Sequence, residues 1–206
     1  MLDMLQIIFF LGGILLYLHI YIHFKTTSLN ECRNLYEVSK ETILSNIYFK
    51  IPFVFDGTTI IKNLPDKKGK IYTKEYESLP MLEPSVRFFT NDTIYKLKKN
   101  KFIDIHRNLE CRNFYILHSG KVQIYCIHPK YKDKLDLSNL SNPKNIEFIE
   151  NNDVICMQLF PNSILFIPNY WYVYIKASEK SVVEKVQYKT ILNEINFLYD
   201  TYSKTN

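Results

Sequence analysis

The chain has 206 residues, enough for one domain with an appendage. A hydrophobic share of 47%, with 14 Phe and 16 Tyr, supplies a real core, and only 5 Gly and 8 Pro argue against a fibrous or disordered chain. The net charge of +5, from 26 basic and 21 acidic residues, is too mild to point to nucleic acid, and no nucleic-acid motif with its own geometry is present.

Residues 5–24, LQIIFFLGGILLYLHIYIHF, contain no Asp, Glu, Lys or Arg. The run has the length of roughly 20 residues that a helix needs to cross a bilayer. Tyr17, His19, Tyr21 and His23 lie toward its C-terminal end, where an interfacial belt belongs. Asp3 precedes the run, no basic residue does, and no small-residue cleavage site follows, so an uncleaved anchor is expected rather than a signal peptide. The lipid bilayer is then a partner through residues 5–24. Lys25, Arg33 and Lys40 follow the run, which places a single-pass protein's main domain on the cytoplasmic side. In that orientation the acceptor patterns Asn91-Asp92-Thr93 and Asn139-Leu140-Ser141 carry no glycan.

Residues 26–39 read as a polar connector with weak helical patterning. Ser39 is an N-cap candidate, and Ile43, Leu44 and Ile47 give a helix over 40–48. Ile51 to Phe55 reads as a buried strand ending at the Asp56-Gly57 turn, Ile60 and Ile61 open a further element, and 65–70 is a charged loop. Short strands are predicted at Val86–Phe89, Thr93–Leu97 and Phe102–Ile105. Phe114–Leu117 and Val122–Ile127 flank His118-Ser119-Gly120-Lys121 and read as a hairpin. A polar excursion over 130–145 follows, then strands at Asp153–Phe160 and Ser163–Ile167 around a Pro161-Asn162 turn, and further strands at Tyr172–Lys176 and Val182–Tyr188. Ile191, Ile195, Leu198 and Tyr202 share one face of a closing helix. The lysine groups at 67, 68, 70 and 74 and at 96, 98, 99 and 101 read as solvated faces. Cys32, Cys111, Cys126 and Cys156 form no CxxC pair; Cys126 and Cys156 read as small core residues, in keeping with a reducing compartment.

Many short strands with helices at the ends point to a mainly β jelly roll. Two segments sharpen this. In the first, Asn100 is followed by His106, Asn108, Asn113 and Gly120; in the second, Asn162 is followed by Pro168, Tyr170, Val173 and Ala177. Their spacing resembles the two motifs of the cupin superfamily, G-x5-H-x-H-x(3,4)-E-x6-G and G-x5-P-x-G-x2-H-x3-N. The run Leu159 to Trp171 is similar to the strand and P-x-x-W-x-H corner of the JmjC-like dioxygenase branch. The resemblance covers roughly residues 35–190 and implies a double-stranded β-helix with flanking helices, divided as an anchor over 1–25, a connector over 26–39 and a jelly-roll domain over 40–206.

The same resemblance locates the metal ligands at His106, Asn108, Asn113 and Val173, and three of these four are not histidine or carboxylate. A facial triad for iron needs two imidazoles and a carboxylate, and valine has no donor atom. Asp104 and Glu110 are the candidates to replace the missing ligands. Tyr170, Trp171, Tyr172 and Tyr174 crowd the second motif and are expected to line the pocket. The expected protein is a membrane-anchored binding or structural module with no catalytic residue, metal or cofactor, and with a possible protein partner. One alternative is a divergent oxygenase dependent on Fe(II) and 2-oxoglutarate, acting on a protein side chain through His106 with Asp104 or Glu110. A second is a viral membrane or virion component, which suits the abundance of Lys, Asn, Ile and Tyr.

Overall fold

A computed structural model describes residues 2–27, 29–58, 82, 84, 89–136, 139, 142–151 and 154–190. In chain order these form α1 (Leu2–Phe24), β1 (Arg33–Leu35), α2 (Lys40–Tyr48), β2 (Phe53–Asp56), β3 (Phe89–Leu97), β4 (Phe102–Arg107), β5 (Arg112–Ser119) and β6 (Val122–Ile127). A 3-10 turn over Pro129–Lys134 follows, then α3 (Pro143–Asn151), β7 (Ile155–Leu159), β8 (Ser163–Ile167), β9 (Tyr172–Ala177) and β10 (Ser181–Lys189). The element expected at Ile60 and Ile61, the loop over 65–70, the lysine group at Lys67, Lys68, Lys70 and Lys74, the strand residues 86–88 and the closing helix lie outside the described residues.

The strands make two sheets, one ordered β1-β2-β8-β5-β10-β3 and the other β4-β9-β6-β7. From β3 to β10 the chain passes between the sheets in the order first, second, first, second, second, first, second, first. That alternation is the winding of an eight-stranded jelly roll. The expected β5–β6 hairpin is therefore corrected. The two strands are consecutive but do not pair: β5 lies between β8 and β10, while β6 lies between β9 and β7. Gly120, at φ +83, turns the chain from one sheet to the other, and a Cβ there would meet the Lys180 carbonyl oxygen at 2.3 Å.

Side chains alternate between three apolar clusters. The interior between the sheets holds Tyr115, Leu117, Val122, Ile124, Cys126, Leu165, Trp171, Val173, Ile175 and Val183. The outer face of the six-stranded sheet packs Phe53, Phe114, Ile164, Phe166 and Tyr188 with Ile43 of α2. Ser39 caps α2 by accepting from the Thr42 N–H at 3.1 Å, as its sequence predicts. The outer face of the four-stranded sheet packs Ile105, Tyr125, Ile127, Tyr172 and Tyr174 with Ile149 of α3. Cys126 is buried as expected, whereas Cys156 is exposed, because alternation along β7 turns it outward.

Two further expectations are corrected. The 26–39 stretch is not only a connector, since β1 pairs in parallel with β2, matching Arg33 to Phe53. The polar excursion contains the 3-10 turn and, at its end, α3. α1 covers the predicted apolar run, yet among the described residues no helix is long and apolar enough to cross a membrane.

Candidate functional site

The site forms at one end of the jelly roll, where β4, β5, β9 and β10 meet. Strict alternation would turn His106 away from the interior if Ile103 faces it. The β4–β9 register shifts between Ile103 and His106, and this irregularity sends both side chains inward. His106 then faces Val173, its partner on β9. Asp104 remains exposed and offers the imidazole only its backbone: the Asp104 carbonyl oxygen is 3.0 Å from His106 Nδ1.

Tyr115, fully buried on β5, ties the two halves of the first motif together. Its hydroxyl is 2.9 Å from His106 Nε2 and 2.9 Å from the Asn108 carboxamide. One hydroxyl proton cannot serve both neighbours, and the geometry decides between them. A carbonyl oxygen only accepts, so His106 carries its proton on Nδ1 and Nε2 must accept from Tyr115. Placed with Oδ1 toward the hydroxyl, Asn108 competes for that proton and leaves its buried Nδ2 without an acceptor. Turned by 180°, the same carboxamide donates to the Tyr115 oxygen. The chain of donors then runs from Asn108 through Tyr115 and His106 to the Asp104 carbonyl. The backbone of Asn108 is fixed as well, donating to the Trp171 carbonyl at 2.9 Å and accepting from Tyr170 N–H at 2.6 Å.

The electrostatics keep this chain neutral. Burial, with the Lys185 charge nearby, pushes His106 down to about 4. Burial raises the Tyr115 hydroxyl well above its ordinary value, against the Asn108 hydrogen bond, which lowers it. Lys185, buried on β10, sets its ammonium 5.4 Å from the centre of the Tyr115 ring. Burial pushes it down to about 8, opposed by the negative charge of Glu110. Glu110 is buried too, and one of its carboxylate oxygens accepts from Leu109 N–H at 3.2 Å. Asn113, at the motif's glutamate position, is fully buried; it donates to the Glu110 carbonyl at 3.1 Å and accepts from Gln187 at 3.3 Å.

Of the predicted site residues, His106, Asn108 and Val173 come together, whereas Asn113 bonds to the Glu110 carbonyl and to Gln187. Glu110 is inside and Asp104 outside. Among the aromatic residues, Trp171 joins the interior cluster, and its buried indole N–H has no acceptor among the described residues. Tyr172 and Tyr174 pack on the opposite face of β9, beneath α3. Tyr170 lies under the Arg107 guanidinium, which is 5.0 Å from its ring centre. Sequence reasoning missed Tyr115 and Lys185. Their signal was present in the alternation of β5 and β10, where Tyr115 and Lys185 are register partners.

Iron does not fit this residue set. One imidazole and two neutral carboxamides are the only side-chain donors at the motif positions; His106 and Asn108 already bond to Tyr115, and Asn113 bonds to Glu110 and Gln187. Among the described residues no three His, Cys, Asp or Glu side chains converge to hold a metal ion.

The backbone nonetheless keeps the form the motifs require. The motif glycines fall at Asn100, Gly120, Asn162 and Tyr170, and these have φ of +63, +83, +70 and +69. Three of the four described non-glycine residues with positive φ thus stand where the motif has glycine.

No family model matches the sequence, and no curated protein matches it. Several solved structures are similar at low identity. A cupin superfamily protein from Desulfitobacterium hafniense is 9% identical with a TM-score of 0.35, over 52% of this chain and 71% of that one. The coconut allergen cocosin is 13% identical with a TM-score of 0.36, over 50% and 22%. The ribosomal oxygenase YcfD of Escherichia coli is 16% identical with a TM-score of 0.36, over 48% and 23%. What makes this chain cupin-like is the strand order above.

Proposed function

We propose that this chain is a non-catalytic, cupin-like binding or structural module held at a membrane by its N-terminal helix. One observation carries the non-catalytic part: the Tyr115 hydroxyl lies 2.9 Å from both His106 Nε2 and the Asn108 carboxamide, so the imidazole nitrogen at the motif's surviving ligand position is already hydrogen-bonded. An oxygenase would need His106 Nε2 free and Glu110 beside it. Here Nε2 faces Tyr115, and Glu110 bonds to Leu109 and sends its field toward Lys185.

Support for the anchor is the uncharged run at 5–24 and the exposure of its large side chains, from Met4 to Tyr21, around the helix. A helix apolar on every side suits lipid, whereas a groove on a protein would select one stripe. The full chain, purified in detergent and loaded anaerobically with Fe(II), is expected to hold less than one equivalent of iron, with no change on His106→Ala. Stoichiometric iron that disappears in His106→Ala would overturn the non-catalytic reading.

A further inference from the structure

The connector after α1 is fastened to the jelly roll almost at once. Thr27 and His128 are both buried, and His128 Nε2 lies 2.7 Å from the Thr27 carbonyl oxygen. The ring's other nitrogen accepts from Lys130 N–H at 3.0 Å, so the proton resides on Nε2 and donates to Thr27. The same imidazole packs edge-on to Trp171 at 4.9 Å. Trp171 in turn accepts from Asn108, so the clamp lies at the end of the roll that holds the candidate site.

His128 also caps the 3-10 turn Pro129–Lys134, in which Lys130, Lys132 and Lys134 are exposed with Asp133 as the single acid. The Lys130 and Lys134 ammonium groups lie 4.8 and 5.6 Å from the centre of the Tyr131 ring. Lys25, also exposed, stands between α1 and Thr27. Three residues of extended chain reach about 10 Å. The clamp, and the lysine turn that begins at it, therefore stay close to the C-terminal end of α1.

We propose that this lysine turn docks on anionic phospholipid headgroups, holding the site end of the jelly roll against the bilayer. The inference rests on the anchor reading above. Its occupant follows from charge and reach. A basic patch within this distance of a bilayer surface meets phospholipid before any other partner, and basic residues bind anionic leaflets electrostatically. Each such lysine changes the ratio of docked to undocked domain by about fivefold, so removing three changes it by on the order of 100-fold.

The test uses the full chain reconstituted in vesicles, with Asp133→Cys carrying a fluorophore in a Cys156→Ser background and a quencher on lipid headgroups. Strong quenching is expected in vesicles containing phosphatidylserine and weak quenching in phosphatidylcholine alone. Combining Lys130→Gln, Lys132→Gln and Lys134→Gln is expected to abolish the difference. A chain retained in both vesicle types after alkaline carbonate, yet quenched alike in both, overturns the docking alone. A chain washed from both overturns the anchor and the docking together.

Discussion

The chemistry of the site turns on one hydroxyl. Tyr115 fills the space between His106 and Asn108, so both side chains bond to its hydroxyl inside the protein. Tyr115→Phe removes that bridge and leaves the imidazole Nε2 and a buried carboxamide unpaired. A stability loss of about 1–3 kcal/mol is expected in urea unfolding, since a buried polar group without a partner costs that much. Protonation gives a second test. His106 in the folded chain titrates at about 4 against an ordinary value of 6.5, so between those values the unfolded chain binds the extra proton. Stability from this group is complete above pH 6.5 and falls as the pH drops toward 4. Measured against His106→Asn, which cannot titrate, the wild-type chain is expected to lose stability across that window; parallel pH profiles would contradict the neutral imidazole. Lys185 works in the opposite range. Its value of about 8 against 10.5 means that the wild-type chain gains stability as the pH rises from 8 to 10.5, a rise that Lys185→Met is expected to lack.

At the level of elements, the positive-φ turns show what the sequence retains. Asparagine tolerates the left-handed region better than other non-glycine residues because its short polar side chain can bond locally. Asn100 and Asn162 thus keep the turns without glycine. Asn162→Gly is expected to leave stability unchanged or raise it slightly, and Asn162→Ala to lower it by about 1 kcal/mol in thermal or urea unfolding. Gly120→Ala is expected to cost more, because its Cβ would meet the Lys180 backbone in the neighbouring turn between β9 and β10. Strand positions were legible from short apolar runs and the turns between them. Pairing was not: Leu117 and Val122 lie close in sequence and suggest a hairpin, yet a jelly roll passes consecutive strands to different sheets. The facing of β4 was hidden by a bulge, which no alternation pattern reveals before the register is known. α3 was obscured because Asn145, Glu147 and Glu150 break its short apolar pattern.

On the scale of the whole molecule, the two motifs and their spacing located the fold, and the strand order agrees with it. His106 faces Val173 across β4 and β9, and Tyr115 links it to Asn108. The clamp between Thr27 and His128 could not be read from the chain, since it joins residues 101 positions apart through one backbone carbonyl. The picture is a jelly roll whose backbone is preserved and whose interior donors have turned toward one another. Nitrogen NMR of the full-length protein in detergent, titrated with Co(II) as a paramagnetic probe, tests this most directly. The account predicts an imidazole at His106 with its proton on Nδ1, whose signals do not move as Co(II) is added. A paramagnetic shift at His106 that saturates at one equivalent of Co(II) would contradict it.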